Sequence, residues 1–394
     1  MQGEREVKAG TKAKTVLWMA GMVIMLAGCS SMSSLNPFAS KAPPRNPPAP
    51  LVQFDQTMAV RTLWSAPIGA VGASELKPAA VADSAYAASA EGTLARLDAA
   101  SGREAWRVAT GVRLTSGVGT DGETIAVGSR DGLLLAYDNT GKLRWKSQLT
   151  SEILSAPAVA EGLVVVRSLD NRISAYEIAT GKRSWTLLRT APPLTLRAAP
   201  GIAIASGTAF VGLPGGRLLA LALSNGGPRW EASVGEPRGA TELERIADVS
   251  GTPVLNRREV CAVAYQGRAV CLDAATGNPQ WSRPLSSTVG LGVDERFVFG
   301  VDDNGIINAY TRDSGGSVWR NSKLQHRAPS APVSIGRAVA VGDLEGYVHF
   351  LAREDGAFLA RVATDGSPII GMTLAGDNLI VQTRNGMLLA LSTS

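Results

Sequence analysis

Few residues in this 394-residue chain are of a type and spacing suited to catalysis. The two histidines, His326 and His349, have no metal-ligand spacing with a cysteine, so we expect them to be ordinary loop and strand residues. Acidic side chains recur at one position of a repeated segment, as Asp98, Asp138, Glu177 and Asp273. Acids at turns commonly accept hydrogen bonds from nearby backbone N–H groups, so we interpret these as turn residues rather than as a metal cluster. The sequence predicts no catalytic residue, metal or cofactor, since it has no nucleophile elbow or phosphate loop.

Two of the three cysteines, Cys261 and Cys271, flank the dipeptide Gln266-Gly267 on strands that we predict to be adjacent. An oxidising compartment favours a disulfide between them. A two-residue turn, however, pairs Ala262 with Cys271 and places Cys261 on the opposite face, so a disulfide requires a one-residue bulge. Cys271 also stands where most other repeats have alanine, a position that suits a small buried thiol. The sequence leaves both the disulfide and the free thiols open.

The third cysteine, Cys29, follows an uncharged segment over residues 15–27. That segment follows several basic residues and is short for a membrane span, which is typical of a signal peptide. Leu26-Ala27-Gly28-Cys29 resembles the lipobox of bacterial lipoproteins, and the resemblance implies a signal peptide over residues 1–28 and lipid attachment at Cys29. An ordinary signal peptide followed by an incidental cysteine is the alternative. Ser30, where an aspartate often marks inner-membrane retention, favours the outer membrane.

Residues 29–54 are rich in Ser, Pro and Ala. Such a segment buries too little apolar surface to order itself, so we predict a tether followed by a folded domain over residues 55–394. The formal net charge is +5, of which two units belong to residues 1–28. The remaining charge is scattered over more than 300 residues and gives no indication of nucleic-acid binding.

Eight copies of a segment of about 40 residues follow the tether. Each copy has a turn dipeptide, then an apolar residue two positions later and Leu or Tyr five positions later. The dipeptides are Glu91-Gly92, Asp131-Gly132, Asp170-Asn171, Gly215-Gly216, Gln266-Gly267, Asn304-Gly305, Glu345-Gly346 and Asn385-Gly386. A second turn glycine and a tryptophan follow in six copies, at Trp106, Trp145, Trp185, Trp230, Trp281 and Trp319. The seventh copy has Ala360 instead of the tryptophan.

An additional tryptophan, Trp64, precedes the first copy. We interpret it as circular closure, in which residues 61–67 supply the outer strand of the last blade and protect its edge. A period of about 40 residues with four short strands is typical of propellers. The sequence therefore predicts an all-β fold, an eight-bladed β-propeller. A solenoid is the alternative, but solenoids need atypical capping repeats and do not divide one unit between the termini.

The pattern Ala-x-Asp-x-x-Thr-Gly-x-x-x-Trp resembles the tryptophan-docking motif of PQQ-type propellers, most clearly at residues 136–145 and 272–281. The resemblance implies that the tryptophans pack between blades. It also raises the alternative of a PQQ-dependent dehydrogenase, but those enzymes use adjacent cysteines, which this sequence lacks. An envelope polymer-binding lipoprotein is a further alternative, which would show an aromatic-lined groove that a 5% aromatic content does not indicate.

Two neighbouring intervals in the repeat are longer than the others. From each tryptophan to the next turn residue there are 24 to 28 residues in five copies, but 31 from Trp185 to Gly216 and 37 from Trp230 to Gly267. The added residues, 187–197 and 239–253, fall between an outer and an inner strand, so we predict that they emerge on one rim at adjacent blades. Exposed Leu and Arg beside acids are typical of a protein-binding patch, whereas folding back onto the propeller is the alternative.

The lipobox, the tether, the eight repeats and two loop motifs together resemble the BamB family, lipoproteins of the complex that inserts β-barrel proteins into the outer membrane. The loop motifs are Leu-x-Leu-Arg at 194–197 and Glu-Leu-Glu-Arg-Ile-x-Asp-Val at 242–249. The resemblance implies a lipid-anchored, non-enzymatic scaffold on the periplasmic face, which binds the POTRA domains of BamA and other assembly-machinery subunits. The family's contact residues fall on Leu194, Leu196, Arg197 and Asp248. Ser250 stands where the family often has a second aspartate, and the sequence leaves open whether unfolded outer-membrane proteins are bound directly.

Overall fold

The computed structural model describes residues 46–197, 200–256 and 258–393, in which the strands form eight four-stranded antiparallel sheets. The proposed signal peptide, Cys29 and the tether as far as residue 45 lie outside the described residues. The described part of the chain contains no helix that could cross a membrane. The innermost strand of each sheet contacts the innermost strand of the next sheet. The innermost strands of the first and last sheets also contact each other, so the ring is closed. The predicted all-β, eight-bladed propeller is therefore confirmed.

Each sheet is a blade whose strands, A to D, run outward from the centre of the ring, and strand D of the last blade comes from the N-terminal strand Val60–Pro67 (β1). Blades one to four comprise Ala79–Val81 (β2), Ser84–Ala88 (β3), Thr93–Asp98 (β4) and Glu104–Ala109 (β5); Gly119–Thr120 (β6), Thr124–Gly128 (β7), Leu133–Asp138 (β8) and Leu143–Gln148 (β9); Ala158–Ala160 (β10), Leu163–Arg167 (β11), Arg172–Glu177 (β12) and Arg183–Leu188 (β13); Ile202–Ala205 (β14), Thr208–Leu213 (β15), Arg217–Ala222 (β16) and Pro228–Ser233 (β17).

The remaining four blades continue the same order along the chain. They comprise Val249–Asn256 (β18), Glu259–Ala264 (β19), Arg268–Asp273 (β20) and Pro279–Pro284 (β21); Gly292–Val293 (β22), Phe297–Val301 (β23), Ile307–Thr311 (β24) and Ser317–Asn321 (β25); Val333–Ile335 (β26), Ala338–Gly342 (β27), Tyr347–Ala352 (β28) and Phe358–Ala363 (β29); Ile369–Ala375 (β30), Asn378–Thr383 (β31) and Met387–Thr393 (β32). Because neighbouring strands alternate in direction, the B–C turns and D–A connections share one face, which we call the insertion face. The A–B and C–D turns share the opposite face.

The tryptophans join neighbouring blades, as the repeat pattern predicts. Each donates its indole N–H to a carbonyl in or beside the C–D turn of the next blade; Trp185, for example, bonds the oxygen of Leu223 at 2.7 Å. The ring also covers the turn glycine: a Cβ placed on Gly226 would lie 2.5 Å from the Trp185 ring. The other six are Trp64, Trp106, Trp145, Trp230, Trp281 and Trp319. Their structural role is thereby confirmed.

The ring closes between the two ends of the folded domain. Strand β1 pairs antiparallel with β32, and Trp64 lies opposite Ala390. The Trp64 N–H donates to the carbonyl of Ala99 at 3.0 Å and so joins blade eight to blade one. Closure also explains Ala360 in the seventh blade. Blade eight takes its strand D from β1, so the described residues contain no C–D turn there on which a tryptophan could dock.

Two details differ from the sequence-based expectation. The loop between β19 and β20 has three residues, so Cys261 pairs directly with Cys271, and the two form a disulfide. The predicted pairing of Ala262 with Cys271 is wrong; Ala262 lies opposite Val270, and no bulge is needed. The boundary between tether and domain at residue 54 is also too late, because residues 48–54 contact blade seven.

Candidate functional site

The two long intervals emerge on the same face at adjacent blades, as predicted. Insertion one, residues 189–201, connects blade three to blade four, and insertion two, residues 234–248, connects blade four to blade five. The strands reach further into both segments than the sequence suggested, because Leu187 and Leu188 belong to β13 and residues 249–253 belong to β18. Since D–A connections lie outside the blade ladders, they can lengthen without disturbing blade packing.

Asp248 joins these two insertions. One of its carboxylate oxygens accepts the N–H of Leu196 at 2.6 Å, and the other accepts the N–H of Gly215 in the B–C turn of blade four at 3.0 Å. Only 3% of Asp248 is exposed. Both oxygens face the protein interior, so the side chain is not displayed on the surface, and direct contact of Asp248 with a partner stays a prediction. Its position fixes the backbone at Leu196.

The charged form of Asp248 is disfavoured by burial and favoured by the groups around it. Burial raises the pKa of its carboxyl, while the two backbone N–H groups and the positive charge of nearby Arg167 oppose this shift. Arg167 is itself buried, and desolvation lowers its pKa to about 10, so it stays protonated at neutral pH. Its Nη1 donates to Asn171 Oδ1 at 3.0 Å. A buried cation of blade three thus lies close enough to the buried acid of insertion two to favour its charged form.

The other three predicted contact residues belong to insertion one. Leu194 is 39% exposed and Leu196 is half-buried. Arg197 places Nη2 2.7 Å from Oε2 of Glu152, in the connection from blade two to blade three. The Arg197 side chain is 64% exposed and that of Glu152 only 11%. The arginine is therefore held in position by a shielded acid and stays accessible to a partner.

Insertion two presents a leucine that the sequence did not single out. Residues 241–245 form one turn, closed by reciprocal bonds: the Glu244 N–H donates to Thr241 Oγ1 at 3.2 Å, and the Thr241 N–H donates to Glu244 Oε2 at 3.0 Å. This is a capping box, and the Thr-x-x-Glu spacing could have indicated it. The turn exposes Leu243, which is 68% accessible.

Leu243 is one of several exposed leucines on this face. Eight large hydrophobic side chains are exposed in the described residues, and half of them lie on the insertion face within blades three to five. We call these four the leucine patch: Leu169, Leu188, Leu194 and Leu243. Beside the patch, Leu196 and Arg197 line a central depression of about 560 Å³, together with Arg113, Arg130 and Glu152. The insertion face therefore combines exposed apolar groups with arginines.

The repeated acids accept hydrogen bonds within their own turns. Asp98, Asp138 and Asp273 each accept backbone N–H groups within their own C–D turns, as at 2.8 Å from Ser101 to Asp98. Hydrogen bonds from Ser or Thr hydroxyls chiefly lower the pKa of these three carboxyls. Glu177 accepts from the Thr180 hydroxyl in the same way. Within the described residues, no three His, Cys, Asp or Glu side chains are grouped to hold a metal ion.

Comparison with known proteins gives consistent matches along the chain. The family model described as "Outer membrane protein assembly factor BamB" matches residues 90–321 and 303–394. The assembly factor BamB of Bordetella pertussis is 42% identical over 386 residues, covering 98% of each chain. That of Burkholderia pseudomallei is 41% identical over 369 residues, covering 93% of this chain and 94% of its own. The crystal structure of BamB from Moraxella catarrhalis superposes with a TM-score of 0.78 at 29% identity, covering 85% of this chain and 100% of its own.

Proposed function

This chain belongs to the BamB family of outer membrane protein assembly factors, and from this membership we propose that it is a non-enzymatic scaffold of the β-barrel assembly machinery. Its partner in this proposal is the POTRA region of BamA, which it binds through the insertion face. The observation that carries the proposal is the leucine patch beside Arg197, built on the two connections that depart from the repeat.

The chemistry of this surface suits a protein partner. Interfaces are commonly dominated by a few apolar or arginine side chains, surrounded by contacts that exclude water. Here Leu194 and Leu243 supply apolar area, and Arg197 supplies a cation whose remaining N–H groups are accessible. A complementary partner surface offers an apolar strip and an acidic side chain. Asp248 acts as a positioning residue in this proposal, since it holds the backbone of Leu196.

The proposal places the protein at the periplasmic face of the outer membrane, anchored by lipid on Cys29. The lipobox-like sequence Leu26-Ala27-Gly28-Cys29 supports this anchor. Several acyl chains on one cysteine suffice for stable attachment, because each buried CH₂ contributes about 0.8 kcal/mol. The relatives named as outer membrane protein assembly factors are consistent with that location.

Arg197→Glu tests the partner surface. The substitution replaces a cation of the proposed interface with an acid and places it beside Glu152. Loss of an arginine anchor commonly costs about 2 kcal/mol or more, so we expect affinity for BamA to fall on the order of 30-fold. Circular dichroism and the melting curve should change little, because residue 197 lies in a connection outside the blades and its exposed side chain can turn away from Glu152 into solvent. Co-purification from solubilised membranes and titration with the POTRA domains measure the effect.

Two further variants make the result interpretable. Arg103→Glu reverses an exposed charge in a C–D turn of the opposite face and should bind normally. The double swap Arg197→Glu/Glu152→Arg restores the intramolecular pair but not the cation at position 197, so binding should stay lost. If the double swap restores binding, Arg197 only holds the loop in place. If Arg197→Glu binds fully, or loses binding only through unfolding, the assignment of this surface is wrong.

A further inference from the structure

The segment before β1 crosses the outer edge of blade seven from one face of the propeller to the other. We call residues 48–58 the strap. At its start, the Ala49 N–H donates to the carbonyl of Gln325 at 2.9 Å, in the connection between blades six and seven on the insertion face. Near its end, the Thr57 carbonyl accepts from Arg337 Nη2 at 2.5 Å, in the A–B turn of blade seven on the opposite face. The strap therefore spans the full height of the blade.

Two arginines of the blade bind the strap backbone. Arg327 donates from Nη1 to the carbonyl of Ala49 at 2.9 Å, and Arg361 donates from Nη2 to the carbonyl of Val52 at 2.8 Å. Phe54 stacks on Phe358 with ring centroids 5.3 Å apart, and the Arg361 guanidinium lies 5.1 Å from the Phe54 centroid. Such contacts hold an extended segment without requiring it to form a strand.

A buried network keeps both arginines aimed at the strap. Asp343 accepts from Arg327 Nε at 2.7 Å, and the same carboxylate oxygen lies 2.9 Å from His349 Nε2. Arg361 Nε donates to His349 Nδ1 at 3.3 Å, which requires a neutral imidazole with its proton on Nε2. Burial lowers the pKa of His349 and so favours that neutral form. Asp343 and His349 are almost wholly buried, so their orientation is fixed by the fold.

The lower end of the strap is anchored in the core. Met58 is buried in the hydrophobic cluster between blades seven and eight, beside Ile335 and Leu379. The N–H groups of Thr57 and Met58 both point to the carbonyl of Leu359, at 3.0 and 3.2 Å. The lower end therefore has contacts of its own, separate from those that hold the upper end.

We propose that the docked strap determines the face of the propeller from which the tether leaves. When the strap is docked, the chain before residue 48 departs at the insertion face, between blades six and seven. When it is undocked, the chain departs where β1 begins, on the opposite face. Nineteen residues, 29–47, separate Cys29 from the strap, and a random coil of that length spans roughly 25 Å, so we expect the departure face to decide which face meets the membrane. The inference rests on the proposed lipid anchor at Cys29.

Fluorescence resonance energy transfer from the protein to an acceptor lipid measures which face of the propeller lies nearer the membrane. The full lipidated protein is placed in phospholipid vesicles that contain an acceptor lipid. A fluorescent non-natural amino acid replaces either Asp131 in the B–C turn or Glu123 in the A–B turn, two exposed residues of the same blade on opposite faces. In the wild type, transfer should be stronger from position 131. In the strap variant Ala49→Pro/Phe54→Asp, which removes an N–H donor and a stacking ring, the order should reverse.

The matched control is Gln53→Ala, an exposed strap residue, which should behave as the wild type. All variants should melt with the wild type, since the substitutions lie outside the blades. Stronger transfer from position 123 in the wild type, or an unchanged order in the strap variant, would overturn the proposal.

A second measurement does not depend on the anchor. In soluble Cys29→Ala protein, amide exchange at Ala49 should be slower than in the same protein carrying Phe54→Asp alone, by at least about tenfold, whereas exchange at Thr57 in the anchored end should be the same in both. Equal exchange at Ala49 would show that the strap does not dock. Fatty-acid labelling or vesicle binding that survives Cys29→Ala would overturn the anchor, and with it the orienting role. Neither outcome affects the binding of BamA to the insertion face, so failure of this inference and failure of the scaffold function are distinguishable.

Discussion

At the scale of single residues, Asp248 organises the proposed partner surface from inside the protein. Its carboxylate accepts two backbone N–H groups from different segments, Leu196 in insertion one and Gly215 in blade four. Because each hydrogen bond uses one oxygen, the carboxylate ties a loop to a neighbouring turn. The loop carrying Leu194 and Arg197 is thereby held against a rigid blade, which reduces the ordering that a partner must impose.

Asp248→Asn should test whether Asp248 acts by holding the loop at Leu196 in position. An asparagine offers one acceptor oxygen and an amide that donates, so the N–H of either Leu196 or Gly215 loses its acceptor. A buried donor without a partner costs about 1–3 kcal/mol, and here the cost falls on the loop. We expect faster amide exchange at Leu196 and weaker binding to BamA. Glu236→Gln, an exposed acid of insertion two, should change neither quantity. Unaltered exchange at Leu196 in Asp248→Asn would contradict the positioning role.

The sequence located these residues but did not assign their roles. Interval lengths pointed to insertions one and two, because an insertion is visible in the spacing of the repeat itself. The direction of the Asp248 carboxylate depends on how insertion one packs against the Gly215 turn, which no local pattern encodes. Cys261 shows a related limit. The hairpin was predictable, but one residue more in its loop moves Cys261 to the face of Cys271.

At the scale of elements, the joints between blades depend on the indole N–H of each tryptophan as well as on its ring. Trp185 donates to the carbonyl of Leu223 in buried surroundings, whereas Trp106 donates to the carbonyl of Asn139 where water has partial access. Water can replace a lost donor at the second joint but not at the first. The Asn139 carbonyl also accepts from Arg96 Nη1 at 2.7 Å, so it keeps one donor when the indole N–H is lost.

Trp185→Phe should destabilise the protein more than Trp106→Phe. Both substitutions keep an aromatic ring and remove the donor. At Leu223 the buried carbonyl is left unsatisfied, at a cost of about 1–3 kcal/mol. At Asn139 the penalty should be smaller, because the site is only partly buried. Thermal and urea unfolding measure both variants. Equal losses, or a larger loss for Trp106→Phe, would mean that ring packing rather than the hydrogen bond determines the strength of the joint.

Elements with local turn chemistry were predictable, whereas the strap was not. The B–C turns are marked by residues that adopt positive φ, such as Asn171 at 61° and Gly346 at 81°. The strap has no such signal, and its first residues, Pro48-Ala49-Pro50, continue the composition of the predicted tether. Its docking depends on Arg327 and Arg361, which lie about 280 and 310 positions away along the chain. A segment that takes its structure from distant side chains cannot be recognised from its own composition.

At the scale of the whole molecule, closure turns eight similar blades into one unit. Each blade is a small sheet that buries its faces only against its neighbours, so an open array would expose two apolar faces. Strand β1 prevents this by pairing with β32, while Trp64 spans to blade one. A closed ring also gives the D–A connections a fixed arrangement. Insertions one and two can therefore act as one surface although they belong to different connections.

Removal of β1 tests whether closure holds the ring together. Deletion of residues 55–68 removes seven backbone pairings to β32, the Trp64 bridge to Ala99, and Met58 from the core between blades seven and eight. Strand β32 becomes an unpaired edge, which favours aggregation as well as unfolding. We expect the deletion variant to be unfolded, or to melt far below the wild type, with exposed apolar surface detectable by dye binding.

Trp64→Ala provides the intermediate case. It keeps the pairing of β1 with β32 but removes the ring that covers Gly102 and the N–H donated to Ala99. Large-to-small substitution of a tryptophan costs about 3–5 kcal/mol, so the variant should fold but unfold at lower urea concentration. We expect the wild type to be the most stable, Trp64→Ala to be intermediate and the deletion variant to be the least stable. A deletion variant that melts with the wild type would show that β1 does not close the ring. A deletion no worse than Trp64→Ala would assign closure to the tryptophan alone, since the backbone pairing of β1 would then add nothing measurable.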